Sequence, residues 1–141
     1  KIFLLKKALE INPFTSEFFM WVDAGICNYR TKCPPEKSFP NIEKLSNLPK
    51  DKFIFSSSIL RFNKNNVSKT SYYHYISGTY ILHKNIIIQF SEIYNEYLNK
   101  LVDKNNIWTD QVVLTHIYKD HEEMFYKLCH GYGNILPFLY N

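Results

Sequence analysis

Apolar residues along this chain follow two patterns, a helical spacing of three and four and unbroken apolar runs, and each marks a different kind of element. Ile2-Phe3-Leu4-Leu5-Lys6-Lys7-Ala8-Leu9 has the pattern of an amphipathic helix already under way, with no start signal before it. Asn12-Pro13-Phe14 ends that pattern, because proline lacks an N–H and restricts the residue before it. Thr15 or Ser16 then caps a short turn into Phe18-Phe19-Met20-Trp21-Val22, a continuous apolar run that predicts a fully buried strand. Residues 27–50, rich in Pro, Lys, Asn and Ser, predict a long excursion. A strand is expected at 52–56, a polar turn at 63–69 and a second strand region at 72–82. Gly78 interrupts that region and marks either a bulge or a close approach of backbone to ligand.

From Lys84 the spacing changes. Ile86, Ile87, Phe90, Ile93, Tyr94, Tyr97, Leu98 and Leu101 recur at three and four, the stripe of a helix packed on a sheet. Residues 103–106 form a loop, and Thr109 is placed to cap a helix from Asp110 that carries Val112, Val113, Leu114 and Ile117 inward. Residues 124–128 read as a last strand and 129–134 as a loop. This order predicts an α/β fold, a mixed sheet with flanking helices.

With 141 residues, 45% hydrophobic, the chain can bury one sizeable core but not two, so a single domain over 1–141 is expected. Its opening inside a helical pattern makes it read as truncated at the N-terminus. The formal charge of +4 falls short of the dense basic face of a nucleic-acid binder and fits an anionic small ligand equally well. A nucleic-acid surface built on Lys50, Lys52, Arg61, Lys64, Lys69 and the tyrosines at 72, 73 and 75 is therefore not expected, since those tyrosines also read as strand residues. No apolar run approaches the roughly 18 residues that span a bilayer, so no transmembrane segment is expected in this chain. Cys27, Cys33 and Cys129 contain no Cys-x-x-Cys pair, which argues against a zinc site and a closed disulfide framework and leaves a Cys27–Cys33 bridge open. Asn66-Val67-Ser68 matches a glycosylation acceptor, a match that arises easily by chance in an Asn-rich chain. Neither feature fixes the compartment, and a cytoplasmic one is favoured.

The first candidate for chemistry is Asp23, an acid at the end of the apolar run and followed by the small residues Ala24 and Gly25. In open α/β sheets ligands sit beyond the carboxyl ends of the strands, although a plain turn aspartate has the same pattern. Asp110 stands in a first helical turn, where free amides and the helix dipole favour a carboxylate; routine helix-start acids stand there too. Trp108-Thr109-Asp110-Gln111 sets an aromatic, a hydroxyl, an acid and an amide side by side, which suits the wall of a polar ligand pocket. His130, before Gly131-Tyr132-Gly133, is either a surface histidine or one that reaches a metal or phosphate. His116, His121, Glu122 and Glu123 lack the His-Glu-x-x-His order and read as a solvated helix end. Phosphate loops, Gly-x-Gly-x-x-Gly and Gly-x-Ser-x-Gly are absent, which excludes kinase, Rossmann dehydrogenase and α/β-hydrolase readings.

Lys6-Lys7-Ala8, Asn12-Pro13-Phe14-Thr15-Ser16 and Phe19-Met20-Trp21-Val22-Asp23-Ala24-Gly25-Ile26 together resemble the bacterial HtrL/YibB-like family, which in turn looks like GT-A glycosyltransferases. Ser77-Gly78-Thr79-Tyr80-Ile81, the long helix, and Trp108-Thr109-Asp110-Gln111 followed by Phe125 continue the match. The resemblance implies the C-terminal portion of a GT-A fold, with a nucleotide-binding half upstream. It implies a protein that binds a nucleotide-sugar donor and transfers the sugar to a hydroxyl of a glycan or other acceptor, or an inactive relative that binds sugar or protein. Asp23 and Asp110 would be the catalytic acids, and Asp23, Ala24, Gly25, Gly78, Trp108 and Gln111 would line the donor site. The implied cofactor is a divalent metal, Mn or Mg, with Asp23 and His130 as ligands. Gly25 departs from the GT-A pattern, because it stands where the Asp-x-Asp motif of those enzymes has its second acid.

Overall fold

The computed structural model describes residues 1–24, 39–67, 73–102 and 109–140. Helix α1 (Ile2–Ile11) buries Ile2 and Leu5 and ends at Asn12, whose φ of 23° leaves the helical range. The Asn12 side chain then brackets the turn, donating to the Ser16 carbonyl at 3.0 Å and accepting from the Ser16 amide at 2.8 Å. That turn feeds β1 (Phe18–Trp21). Within the described part of the expected excursion lies a short helix, α2 (Ile42–Ser46), started by Asn41, whose Oδ1 accepts from the Lys44 amide at 3.0 Å. Strand β2 (Phe53–Ser57) follows, then a four-residue helix α3 (Lys64–Val67) where a polar turn is expected. Val67 is the residue that turns this segment inward, being buried among otherwise polar neighbours.

Strand β3 (Ile76–His83) runs directly into α4 (Lys84–Val102). All eight stripe residues of α4 are buried or packed against the core. Helix α5 (Asp110–Asp120) and a single 3₁₀ turn at Glu122–Met124 lead to β4 (Phe125–His130), and α6 (Ile135–Phe138) follows. Strand β4 therefore takes in Cys129 and His130, which the composition of 129–134 assigns to a loop.

The sheet is mixed, in the order β1-β3-β2-β4. Strand β3 pairs antiparallel with both β1 and β2, and β2 pairs parallel with β4. The two central strands are buried along their whole length, which their continuous apolar and small residues permit. Strand β1 differs from expectation: it is an edge strand and its four residues are half-buried, because an edge strand is covered less than a central one. Helices α1, α4 and α5 cover one face over a core centred on Phe53, Phe55, Tyr80 and Phe90, with Phe53 stacked on Phe90 at 4.6 Å. The other face carries a smaller core of Leu48, Ile54, Ile81, Ile135 and Leu139. Among the described residues no helix is long and apolar enough to cross a membrane.

One buried hydroxyl ties α5 to the start of β3. Thr115 Oγ1 accepts from the Tyr75 amide at 2.8 Å and donates to the Gln111 carbonyl at 2.8 Å. Thr115→Val keeps the shape and strands the Tyr75 amide, so it is expected to cost about 1–3 kcal/mol. Urea denaturation checks this, and a change below about 0.5 kcal/mol, the range of ordinary surface substitutions, would show that the bond is dispensable.

Candidate functional site

Strands β1, β2 and β4 run in one direction and β3 runs against them. Trp21, Ser57 and His130 thus end on the side of the sheet where β3 begins, and α5 starts there too, with Gln111 Nε2 donating to the Ile76 carbonyl at 3.1 Å. Pairing between β2 and β3 jumps from Phe55↔Tyr80 to Ser57↔Ile76, so Gly78 sits in an irregularity of the sheet at this end.

Asp23 lies just beyond β1 and holds the site together. Its Oδ1 accepts from Lys1 Nζ at 2.8 Å and from the Trp21 indole N–H at 2.9 Å, and its Oδ2 accepts from the Tyr132 hydroxyl at 2.5 Å. Gly78 makes room for this carboxylate, since a Cβ at that position would run into Asp23 Oδ2 and the Tyr132 hydroxyl. The irregularity that Gly78 signals in the sequence therefore occurs, and the group closest to its backbone is the protein's own acid, where the sequence pointed to a bulge or a ligand. Lys1 Nζ also lies 3.4 Å from Asp110 Oδ1 and over the Trp21 ring at 5.7 Å from its centroid. One ammonium thus stands between the two candidate acids, whose side chains are 28% and 20% exposed.

Burial is the largest single influence on the Asp23 carboxyl and opposes ionisation. The donors Lys1, Tyr132 and Trp21 together outweigh it and hold the group below the ordinary aspartate range. Tyr80 faces the same charges: burial drives its phenol far up, with Asp110, Tyr94 and Asp23 adding to the effect. Tyr94 is pushed up to about 12 by burial and by Asp110. Three buried polar atoms around the start of α5, Asp110 Oδ2, Thr109 Oγ1 and the Tyr80 hydroxyl, have no hydrogen-bond partner among the described residues. Thr109 does occupy the cap position of α5, but its hydroxyl makes no cap bond.

The remaining candidates fall as follows. Ala24 is exposed beside Asp23, and Gln111 spends its amide N–H on β3. Gly25 and Trp108 lie outside the described residues, as do Cys27 and Cys33. His130 Nδ1 is 3.1 Å from Ser57 Oγ, so its partner is a buried serine of β2. At the end of α5, Glu122 accepts from the Tyr118 hydroxyl at 3.0 Å and His121 faces Glu123 at 3.7 Å, as a solvated helix end would. No group of three His, Cys, Asp or Glu able to hold a metal ion occurs among the described residues. Sequence reasoning missed Lys1, Trp21 and Tyr132 as site residues. Of these Tyr132 carried a signal, since the glycines on either side of it, at φ +105° and +80°, shape the loop that delivers it.

Fold and site together define a mixed α/β protein with two carboxylates clasping one ammonium at the carboxyl ends of its co-directional strands. The model of a family of bacterial proteins of unknown function, HtrL_YibB, matches residues 1–135, and the chain belongs to this family. No curated protein and no solved structure matches the chain.

Proposed function

We propose that the protein is a glycosyltransferase of the GT-A type, which binds a nucleotide sugar and transfers the sugar to a hydroxyl of an acceptor. The observation that carries this reading is the convergence of Asp23, Gly78 and Asp110 at one end of the sheet, where α/β proteins bind ligands. In the reaction the acceptor oxygen bonds to the anomeric carbon, the bond to the diphosphate breaks, and the acceptor's proton passes to a base. Asp110 stands near the anomeric centre, with an oxygen that has no partner and can accept from a sugar hydroxyl. Asp23, fixed by three donors, orients the donor.

The test is hydrolysis and transfer from a panel of nucleotide sugars by the full-length protein and by Asp110→Asn. The variant is expected to lose at least tenfold in turnover, because a hydrogen bond to a charged group is worth about 1.5–3 kcal/mol. Equal turnover by the two proteins would remove Asp110 from the mechanism. The rival reading, an inactive relative that binds sugar or protein, draws on Gly25 in the place of a second acid. Calorimetric binding of a nucleotide sugar without turnover would favour it.

A further inference from the structure

Two carboxylates brought to one place repel unless a cation stands between them, and transferases of this kind ordinarily use a divalent ion. The donor set at Asp23 does not suit a resident metal. Both lone-pair directions of Oδ1 are taken by the Lys1 ammonium and the Trp21 indole, and Oδ2 accepts from Tyr132 and abuts Gly78. A metal ion would have to displace N–H and O–H groups that already point at those oxygens. His130, the other ligand that the family resemblance implies, is bonded to Ser57.

The charge of Lys1 is spent across the site, at 2.8 Å from Asp23 and 3.4 Å from Asp110. An ammonium has three protons. Asp23 takes one and Asp110 draws a second, which leaves the third for a ligand oxygen. The fully buried Tyr80 lies close enough to these acids for Asp110 and Asp23 to act on its phenol, and its hydroxyl has no partner among the described residues.

We propose that Lys1 is the built-in cation of this site: it takes the place of the divalent ion between Asp23 and Asp110 and meets a diphosphate oxygen, so that the donor binds without metal. The diphosphate half of this statement rests on the glycosyltransferase reading, whereas the cation half does not.

The experiment keeps the two apart. Free Mn is followed by electron paramagnetic resonance during titration of the full-length protein, of Lys1→Met and of Lys1→Arg. Wild type and Lys1→Arg are expected to bind no Mn at this site. Lys1→Met, with its two acids released, is expected to gain one Mn per chain at an affinity roughly tenfold or more above wild type, the scale that one unit charge sets at about 4 Å. Adding Asp23→Asn to Lys1→Met should abolish the gain. Stoichiometric Mn binding by wild type that Asp23→Asn removes would overturn the proposal, and so would a Lys1→Met protein that is folded by circular dichroism and gains no Mn. In a second arm, uridine diphosphate is titrated calorimetrically in EDTA. Binding that survives EDTA and weakens about tenfold in Lys1→Met supports the role toward phosphate, whereas binding that needs Mn overturns it. If uridine diphosphate and the other nucleoside diphosphates bind neither with nor without Mn, the glycosyltransferase reading falls, while the Mn titration still decides whether Lys1 is the cation.

Discussion

Alanine at position 78 is expected to leave the fold standing while disabling the site. The φ of Gly78 lies outside the left-handed range, so the backbone accepts a side chain and space alone decides the outcome. The new methyl group would overlap Asp23 Oδ2 and the Tyr132 hydroxyl, which are the tips of side chains and not backbone. Overpacking costs about 1–3 kcal/mol, and here the low end applies because those tips can swing aside. Replacing a strand glycine recovers about 0.5–1 kcal/mol of chain entropy. Net destabilisation below about 2 kcal/mol is therefore expected in urea. The Tyr132–Asp23 hydrogen bond, in contrast, cannot survive, and under the glycosyltransferase reading donor affinity or turnover is expected to fall roughly tenfold or more. Tyr132→Phe added to Gly78→Ala should cost little further, because the bond it removes is already broken. Undiminished donor binding by a folded Gly78→Ala protein would show that the carboxylate's position at Gly78 is unimportant.

The central strands and the long helix were legible because their signals are local. Phe53 to Phe55 and Ile76 to Leu82 are apolar or small on both faces, and α4 repeats its stripe over five turns. The ends of elements were not legible. Cys129 and His130 look like loop residues, yet they extend β4 because β2 offers them a partner edge, and Gly131 N–H closes on the Ser57 carbonyl at 2.9 Å. Burial of β1 was overestimated for the same reason, since a run of five apolar residues does not reveal whether a strand has neighbours on both sides. In the site, Asp23 and Asp110 could be singled out by their places at a strand end and a helix start. Their partners could not. Lys1 reads as one more helix lysine, and Tyr132 lies 109 residues from the acid it contacts, a pairing made by topology alone.

Asp23→Asn is the substitution expected to act most widely, because it alters charge and almost nothing else. The amide keeps the carboxylate's shape, and its oxygen still accepts from Trp21 and Lys1. Its nitrogen cannot accept from Tyr132, and Lys1 keeps a single anionic partner, Asp110 at 3.4 Å. Under the glycosyltransferase reading, loss of one charged anchor of the donor is expected to lower transfer by roughly 10- to 150-fold. The same variant also reports on the fold. An aspartate whose folded pKa lies below its unfolded value of about 3.9 stabilises the protein at every pH above that value. The contribution drains away as the pH falls through the folded pKa, because the unfolded chain then binds the proton more readily. Asp23 is such a group, held down by its donors against the opposing effect of burial. The stability gap between wild type and Asp23→Asn is therefore expected to be full at neutral pH and to close below about pH 4. Urea denaturation of both proteins at neutral pH and in steps through the acid range measures it. A gap that stays constant down to the acid limit would mean that Asp23 is not held as an anion by Lys1, Trp21 and Tyr132, and the charge clasp at the head of the sheet would lose its physical basis.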